Sequence, residues 1–421
     1  MRILIISQYY PPENTLIAPT LARELVSKGH QVRVLTGFPN YPEGRLFAGY
    51  RQKWRDRELD GGVEVLRVPL LVDHSQSAPR RAANYSSFAL SATTAYGFAR
   101  AADVIYVYAT QMTAALAPWL WRLIDRTPYV LHIQDLWPDS ITGSSMVRGI
   151  WRAGFVNALL TPWISSVYRN AAAVIGIAPT MVETLIGRGV DPARVHLLYN
   201  WAEEASLMPP ESPSDALSSS ATGARVLYGG NVGDLQDLET VVQAADRARD
   251  AGIQLSVVGD GVALPRIRAL VERLGSTNIE FKNRVAREQM GSLYRAADYA
   301  LVTLKDLPVF RGTVPSKLQA ALSHGVPVIS TVQGDVRALV EELRVGFTAD
   351  AEDVDSLEIA FRAAAACDRE ERINMSRRAR DAYVSRFSLT AGIAAIEGIL
   401  RDAAQSRSHG IRERRVEWEL P

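Results

Sequence analysis

The sequence predicts two doubly wound α/β domains, each built on a parallel sheet. Three observations carry this. Short β-branched runs alternate with helical patterns along the chain. The runs are almost continuously apolar, as in strands buried on both faces. The alternation breaks once, at a stretch rich in Pro, Ser and small residues over 204–224, and then restarts. At 421 residues the chain also exceeds what one hydrophobic core usually organises. The expected division is therefore 1–203, a linker over 204–224, a second domain over 225–385, and a C-terminal piece over 386–421. The last is read as a helix returning to the first domain, followed by a charged tail.

In the first half, RILIIS (2–7) leads through a turn into the helical pattern APTLARELVSKG. The strand candidates QVRVLTG (31–37), VEVLRVPL (63–70), DVIYVYA (103–109), YVLHIQD (129–135), AAVIGIA (172–178) and VHLLYN (195–200) follow. The second half repeats the pattern with RVLYGG (225–230), IQLSVVG (253–259), IEFKNR (279–284), YALVTL (299–304), PVIST (327–331) and GFTA (346–349). Such βα series argue for doubly wound sheets, whose ligands bind beyond the carboxyl ends of the strands.

Composition narrows the function classes. A net charge of +1 gives no general attraction to nucleic acid, and no nucleic-acid partner is expected. The single cysteine, Cys367, excludes an internal disulfide framework and fits a reducing compartment. The first apolar run is short and is broken by Pro11-Pro12, unlike a signal peptide. No stretch is apolar enough to span a bilayer. The expectation is a cytoplasmic protein. Residues 146–173 join Trp151, Phe155 and Trp163 to Arg148, Arg152 and Arg169 without an acid. That pattern suits peripheral contact with a membrane face and equally a helix packed on the sheet.

Candidate chemistry sits after the strands. Gly229, Gly230, Asn231 and Gly233 lie between a strand and a helix, where bare backbone and a helix N-terminus suit a phosphate or a sugar. A plain tight turn is the other reading. Gly259 and Gly261 form a second turn of this kind, and Arg284 ends the next strand. The densest segment is Phe310-Arg311-Gly312-Thr313-Val314-Pro315-Ser316-Lys317. There Arg311 and Lys317 bracket a helix start and could converge on a diphosphate.

In the first half, Asp135 stands at a strand tip, where a carboxylate could orient an acceptor hydroxyl or take its proton. Helix capping is its alternative. His132 reads as a core histidine or as a group near that tip. Two aromatic, Pro-rich loops, Gln8–Asn14 and Gly37–Pro42, also follow strands and could stack on sugars. Metal binding reads as absent: the one D-x-D, Asp353-Val354-Asp355, opens a helix and is better read as a cap. There is no P-loop and no G-x-S-x-G elbow.

Taken in order, QYYPPEN, GHQVRVLTGFPNYPEG, QDLWPDS, YGGNVGDLQDLETVVQAA, VVGDG, RGTVPSKLQAALSHGVPVIS and Gly334-Asp335 resemble the retaining GT-B glycosyltransferases of family 4. The closest likeness is to bacterial enzymes of O-antigen, capsule and colanic-acid assembly, such as fucosaminyltransferases. The resemblance spans nearly the whole chain. It implies two Rossmann-like domains facing a central cleft, and transfer of a sugar with retention from a nucleotide-diphosphate sugar. UDP is the favoured nucleotide, and the acceptor a glycan, in many cases lipid-linked.

It implies donor contacts at Gly230, Asn231, Gly233, Gly259, Ser316 and Lys317, with Arg311 beside them. The base would lie near Arg284 and Val285, and the sugar near Gly334 and Asp335. Asn14, Phe38, Asn40, Tyr41 and Trp137 fall on the acceptor side, with Asp135 and His132 as candidate catalytic groups. No metal and no cofactor is implied, the nucleotide sugar being a substrate. The chain departs from the family pattern in several places: its N-terminal loop lacks the usual glycines, and Gln134 stands where a His is common, with His132 two residues earlier. Gly312 and Ala320 stand where two glutamates are common. Asn231 and Gln236 replace a common Arg and Lys, a pattern also met in the fucosaminyltransferase-like group. A soluble-acceptor natural-product transferase, a sugar-nucleotide 2-epimerase and a non-catalytic assembly partner share enough of these features to stand as alternatives.

Overall fold

The computed structural model describes residues 1–73, 78–138, 150–201, 223–285 and 287–408. The expected linker over 204–222, Asp139, the start of the basic-aromatic segment at 146–149 and the tail from 409 lie outside the described residues, as do the side chains at 151–157. The chain forms two compact units, residues 1–200 with 392–421, and residues 201–391.

The first unit holds an eight-stranded sheet: β1 (Arg2–Ile6), β2 (Gln31–Gly37), β3 (Asp56–Asp60), β4 (Val63–Val68), β5 (Val104–Ala109), β6 (Tyr129–Ile133), β7 (Ala173–Gly176) and β8 (Val195–Leu197). Its spatial order is β3-β4-β2-β1-β5-β6-β7-β8. All pairs are parallel except β3 with β4. Strand β3, DRELD, is charged because it is an edge with one neighbour, and its Leu59 is exposed. The Gly61-Gly62 turn that reverses it has φ of +56° and +87°, a conformation glycine adopts without strain.

Strand β4 is buried throughout although it contains Glu64 and Arg67. Each charge has a partner: Arg33 reaches Glu64 at 2.7 Å, and Arg67 reaches Glu58 at 2.5 Å. The helix Ile150–Asn170 packs Ile164, Val167 and Tyr168 inward and leaves Arg169 exposed. The helix Leu389–Ser408 joins this unit from Gly392. Its Glu397 meets His30 at 3.2 Å and Lys28 at 3.3 Å, and the hydrogen bonds from these two side chains hold its carboxyl below the usual range.

The second unit holds six parallel strands: β9 (Ala224–Gly229), β10 (Ile253–Val258), β11 (Ile279–Lys282), β12 (Tyr299–Val302), β13 (Val328–Ser330) and β14 (Gly346–Thr348). Their order is β11-β10-β9-β12-β13-β14. The core joins the strand residues Val226, Tyr228, Leu255, Val257 and Leu301 to Val241, Val242, Leu357 and Phe361 of two covering helices. In the D-x-D segment, the Asp353 carboxylate caps the helix Val354–Ala366 through the Ser356 N–H at 2.9 Å, and Asp355 pairs with Arg247. Cys367 ends that helix, partly buried. Among the described residues no helix is long and apolar enough to cross a membrane.

Both sheets are doubly wound, and each has one switch point. The chain leaves β1 on one side for β2 and on the other for β5. In the second sheet the corresponding gap separates β9 from β12. Ligands of open α/β sheets bind at such points.

Candidate functional site

Two interlocked glycine turns follow β9, at the β9/β12 switch point, and its neighbour β10. The Gly230 N–H donates to Val258 O at 2.9 Å, and the Val232 N–H to Asp260 O at 2.9 Å. The packing admits only glycine. A Cβ on Gly259, whose φ is +151°, would lie 1.9 Å from Gly230 O. One on Gly261 would lie 2.3 Å from Val232 O. The Gln236 carbonyl accepts the Gly233 N–H at 3.0 Å and the Asn231 amide at 3.2 Å. Asn231 and Gln236, two of the departures from the family pattern, therefore stiffen the first turn.

Lys317 rises to this turn from the helix Ser316–Ser323, which follows β12. A Cβ on Gly230 would stand 2.7 Å from Lys317 Cε and 3.3 Å from Nζ, so the glycine makes room for the cation. Nζ donates to Tyr228 Oη at 2.6 Å and sits 4.0 Å from the centre of that ring. No carboxylate lies within ion-pair distance of it among the described residues. Burial alone pushes the ammonium down to about 8. Ser316 is exposed at the first position of the same helix. Together these supply bare backbone, a helix N-terminus and a cation without a counter-charge, the requirements of an anion site.

Other residues expected on this side are distributed differently. Arg311 does not converge with Lys317 as a free cation. Its guanidinium forks onto Asp306 at 2.9 and 2.7 Å, and this pair keeps its pKa above the usual value. Gly334 packs on the backbone of Arg311, where a Cβ would meet Arg311 O at 2.2 Å. Asp306, Arg311, Gln333, Gly334, Asp350 and Ala351 line a pocket of about 330 Å³. Asp335 is buried at the start of the helix Asp335–Leu343. Arg284 is exposed and Val285 half-buried after β11.

In the first unit, the carboxyl ends of β1 and β5 carry a buried polar chain. Gln111 donates to Gln8, Gln8 to Asn84 at 2.7 Å, and Asn84 to Leu71 O at 2.7 Å. Glu13, almost fully buried, accepts three backbone N–H groups, from Tyr10 at 3.0 Å, Asn40 at 2.8 Å and Tyr41 at 2.9 Å. It thereby ties the two aromatic loops together. Burial still raises its carboxyl, against the pull of those donors. Between these loops the Tyr9 and Tyr41 rings meet tilted, 5.0 Å apart, and Tyr85 of the helix Ala78–Thr93 lies 6.2 Å from Trp137, which follows β6. Phe38 and Asn40 are buried in the loop base, while Asn14 is exposed.

Asp135 keeps an exposed surface at the tip of β6, yet protein crowds its carboxyl and the lost solvation raises its pKa. His132 has the surroundings of a core histidine. It is fully buried, Nδ1 meets Tyr106 Oη at 2.5 Å, and burial pushes it down to about 3, so it is neutral. Tyr228 and Glu13 carry the site geometry without an obvious local signal. The one available hint for Tyr228 is an aromatic residue directly before the glycine turn.

The two halves match two family descriptions, the glycosyl transferase 4-like domain over residues 17–201 and the glycosyl transferases group 1 over residues 223–366. The chain is 30% identical over 347 residues to the putative colanic acid biosynthesis glycosyl transferase WcaI of Escherichia coli, covering 79% of this chain and 84% of that one. The probable glycosyltransferase WbjE of Pseudomonas aeruginosa is 22% identical over 53% of this chain and 56% of its own. Among solved structures, the sucrose-phosphate synthase of Thermosynechococcus elongatus superposes with a TM-score of 0.63 at 16% identity, over 96% of this chain and 99% of that one. The Anabaena protein HepE in complex with UDP does so at 0.61 and 15%, over 95% and 100%. With both halves matched and most of a 30% identical relative covered, the chain belongs to the family 4 glycosyltransferases of GT-B fold.

Proposed function

We propose that this protein transfers a sugar from a nucleotide-diphosphate sugar, by preference UDP-linked, to a glycan acceptor in cell-surface polysaccharide synthesis. One observation carries the reading. Lys317 is a desolvated ammonium with no carboxylate at hand among the described residues, held against bare glycine backbone at a switch point. Such a site reaches charge balance only with an anion, and a diphosphate is the anion of this family's donors. The likeness to the E. coli colanic acid glycosyl transferase supports the pathway, and the Anabaena structures holding UDP and UDP-glucose support the nucleotide.

In this reading the bond between C1 and the phosphate oxygen breaks as the acceptor oxygen attacks the same face, with retention. Lys317 and the first turn of the helix Ser316–Ser323 stabilise the charge growing on the departing phosphate, so turnover needs no metal. The acceptor hydroxyl passes its proton to the departing phosphate oxygen as it attacks, and Asp135 is the group we assign to orient it. His132, neutral and enclosed, supports β6 and takes no proton. The acceptor is lipid-linked, and residues 146–173 meet the membrane face.

The test is titration of the purified protein with UDP, GDP, CDP and dTDP in the presence of EDTA, followed by transfer assays with sugars of the nucleotide that binds. Selective binding of one nucleotide is expected. At about 100 times its dissociation constant it should raise stability by roughly 2.7 kcal/mol. Binding of none would overturn the donor site. Turnover of donor without an acceptor, giving an epimer, would replace transfer by 2-epimerisation. Unchanged vesicle binding on Trp163→Ser would remove that tryptophan from the membrane contact.

A further inference from the structure

Lys317 is anchored by a tyrosine where most buried cations have an acid. Tyr228 is fully buried near the end of β9. Its hydroxyl donates its one hydrogen to a bond with Asn231 O, 2.5 Å away in the glycine turn. The oxygen's free lone pair then faces the ammonium at 2.6 Å. The ring lies beneath the same ammonium, 4.0 Å from its centre. One side chain therefore joins the turn after β9 to a lysine 89 positions further along the chain.

The choice of a phenol has a chemical consequence. A carboxylate in this place would fix Nζ equally well but would cancel its charge. A phenol whose own ionisation burial suppresses fixes the position and leaves the charge for a ligand. Its hydroxyl also pins the Asn231 carbonyl, so the turn and the cation keep one spacing.

We propose that Tyr228 is a positioning residue for the donor site: it presents the Lys317 ammonium, charge intact, to the nucleotide's phosphate. This rests on the donor-site reading above. The phenol oxygen favours the charged lysine, so removing it should lower the pH at which the site loses its cation.

The experiment is calorimetric titration of UDP into the parent, Tyr228→Phe and Lys317→Met proteins. The range is about pH 7 to about pH 9.5, where the terminal phosphate of UDP, with its second pKa of roughly 6, is already ionised. Parent affinity should fall as pH rises through about 8, as Lys317 loses its proton. Tyr228→Phe keeps the ring and the core. It should weaken UDP about tenfold, the scale of one hydrogen bond to a charged group, with the fall beginning at lower pH. Lys317→Met should bind weakly with no fall in this range.

A folded Tyr228→Phe protein with parental affinity and an unmoved midpoint would overturn the proposal while leaving the donor site standing. Equal weakening at every pH, with the midpoint unmoved, would reduce Tyr228 to a packing residue and overturn it too. If the parent binds none of the four nucleotides, the donor reading falls and this inference falls with it.

Discussion

The two switch points solve opposite problems with similar parts. At β1/β5 the buried polar groups answer one another. Gln111, Gln8 and Asn84 form a chain, and Glu13 is matched by three backbone donors. At β9/β12 the glycine turns are equally well bonded, but among the described residues Lys317 is not matched by charge. A buried polar group that is satisfied rigidifies, whereas a buried charge left over costs stability and is retained where a ligand needs it. The first region reads as a frame for loops and the second as a receptor for an anion. Substitutions in the two should therefore fail differently.

The largest effect is expected at Gly259. Its Cβ would overlap Gly230 O at 1.9 Å on backbone that cannot retreat without opening both turns. Gly259→Ala should destabilise the second unit by about 3 kcal/mol or more and abolish nucleotide binding, as urea unfolding and UDP titration would show. A parental unfolding midpoint would mean that the turns yield easily.

Lys317→Met comes next and separates function from fold. It keeps the aliphatic stem and removes the charge. Transfer should drop roughly 100-fold or more in kcat/KM. The ligand-free protein should be no less stable than the parent. The sign follows from the pKa. Lys317 is lowered from 10.5 to about 8 in the folded chain, so the unfolded chain binds more protons between these values. Parent stability should therefore rise with pH across that window, and the Met variant should lack the rise. A Met variant markedly less stable than the parent would show that Lys317 is a structural residue.

How much of this could be read beforehand depends on range. The sheets were legible because parallel strands must be apolar along their length, and runs such as RILII and VLYGG declare themselves. Strand β3 was missed because an edge strand need not be apolar, although Asp60-Gly61-Gly62 is a hairpin signal. The place of Lys317 at a helix start after a strand was legible from the local pattern. Its partner Tyr228 was not, because that contact joins residues 89 apart. The pairing of Arg311 was open to reading, since Asp306 stands five residues earlier. Glu13 was not, because its partners are backbone N–H groups, which carry no side-chain signature.

Glu13 gives the matching test in the first region. Burial raises its pKa above 4.5, so the folded chain holds the proton more tightly than the unfolded one. Its contribution is complete below about that value and is lost as pH rises through the folded pKa. Glu13→Gln should remove this slope. It should cost about 1–3 kcal/mol near neutral pH, since one amide oxygen cannot serve three donors. Nucleotide affinity should stay parental. A change in UDP binding with no change in stability would reverse the contrast between the two regions.

The smallest effect is expected at Gln236, where this chain carries an amide in place of the family's common lysine. The side chain is half-buried, and its carbonyl accepts from the Gly233 N–H and the Asn231 amide. Gln236→Lys exchanges these two neutral hydrogen bonds for a second cation near Lys317. Losing the bonds should cost about 1 kcal/mol of stability in the ligand-free protein, since the Gly233 N–H then relies on solvent. The added charge should recover part of this once a diphosphate is present. Melting with and without UDP would separate the two terms. A small loss without nucleotide and a larger shift with it are expected. A loss in both states would mean that this chain uses Asn231 and Gln236 as a rigid brace, whose geometry matters more to the nucleotide than an extra charge.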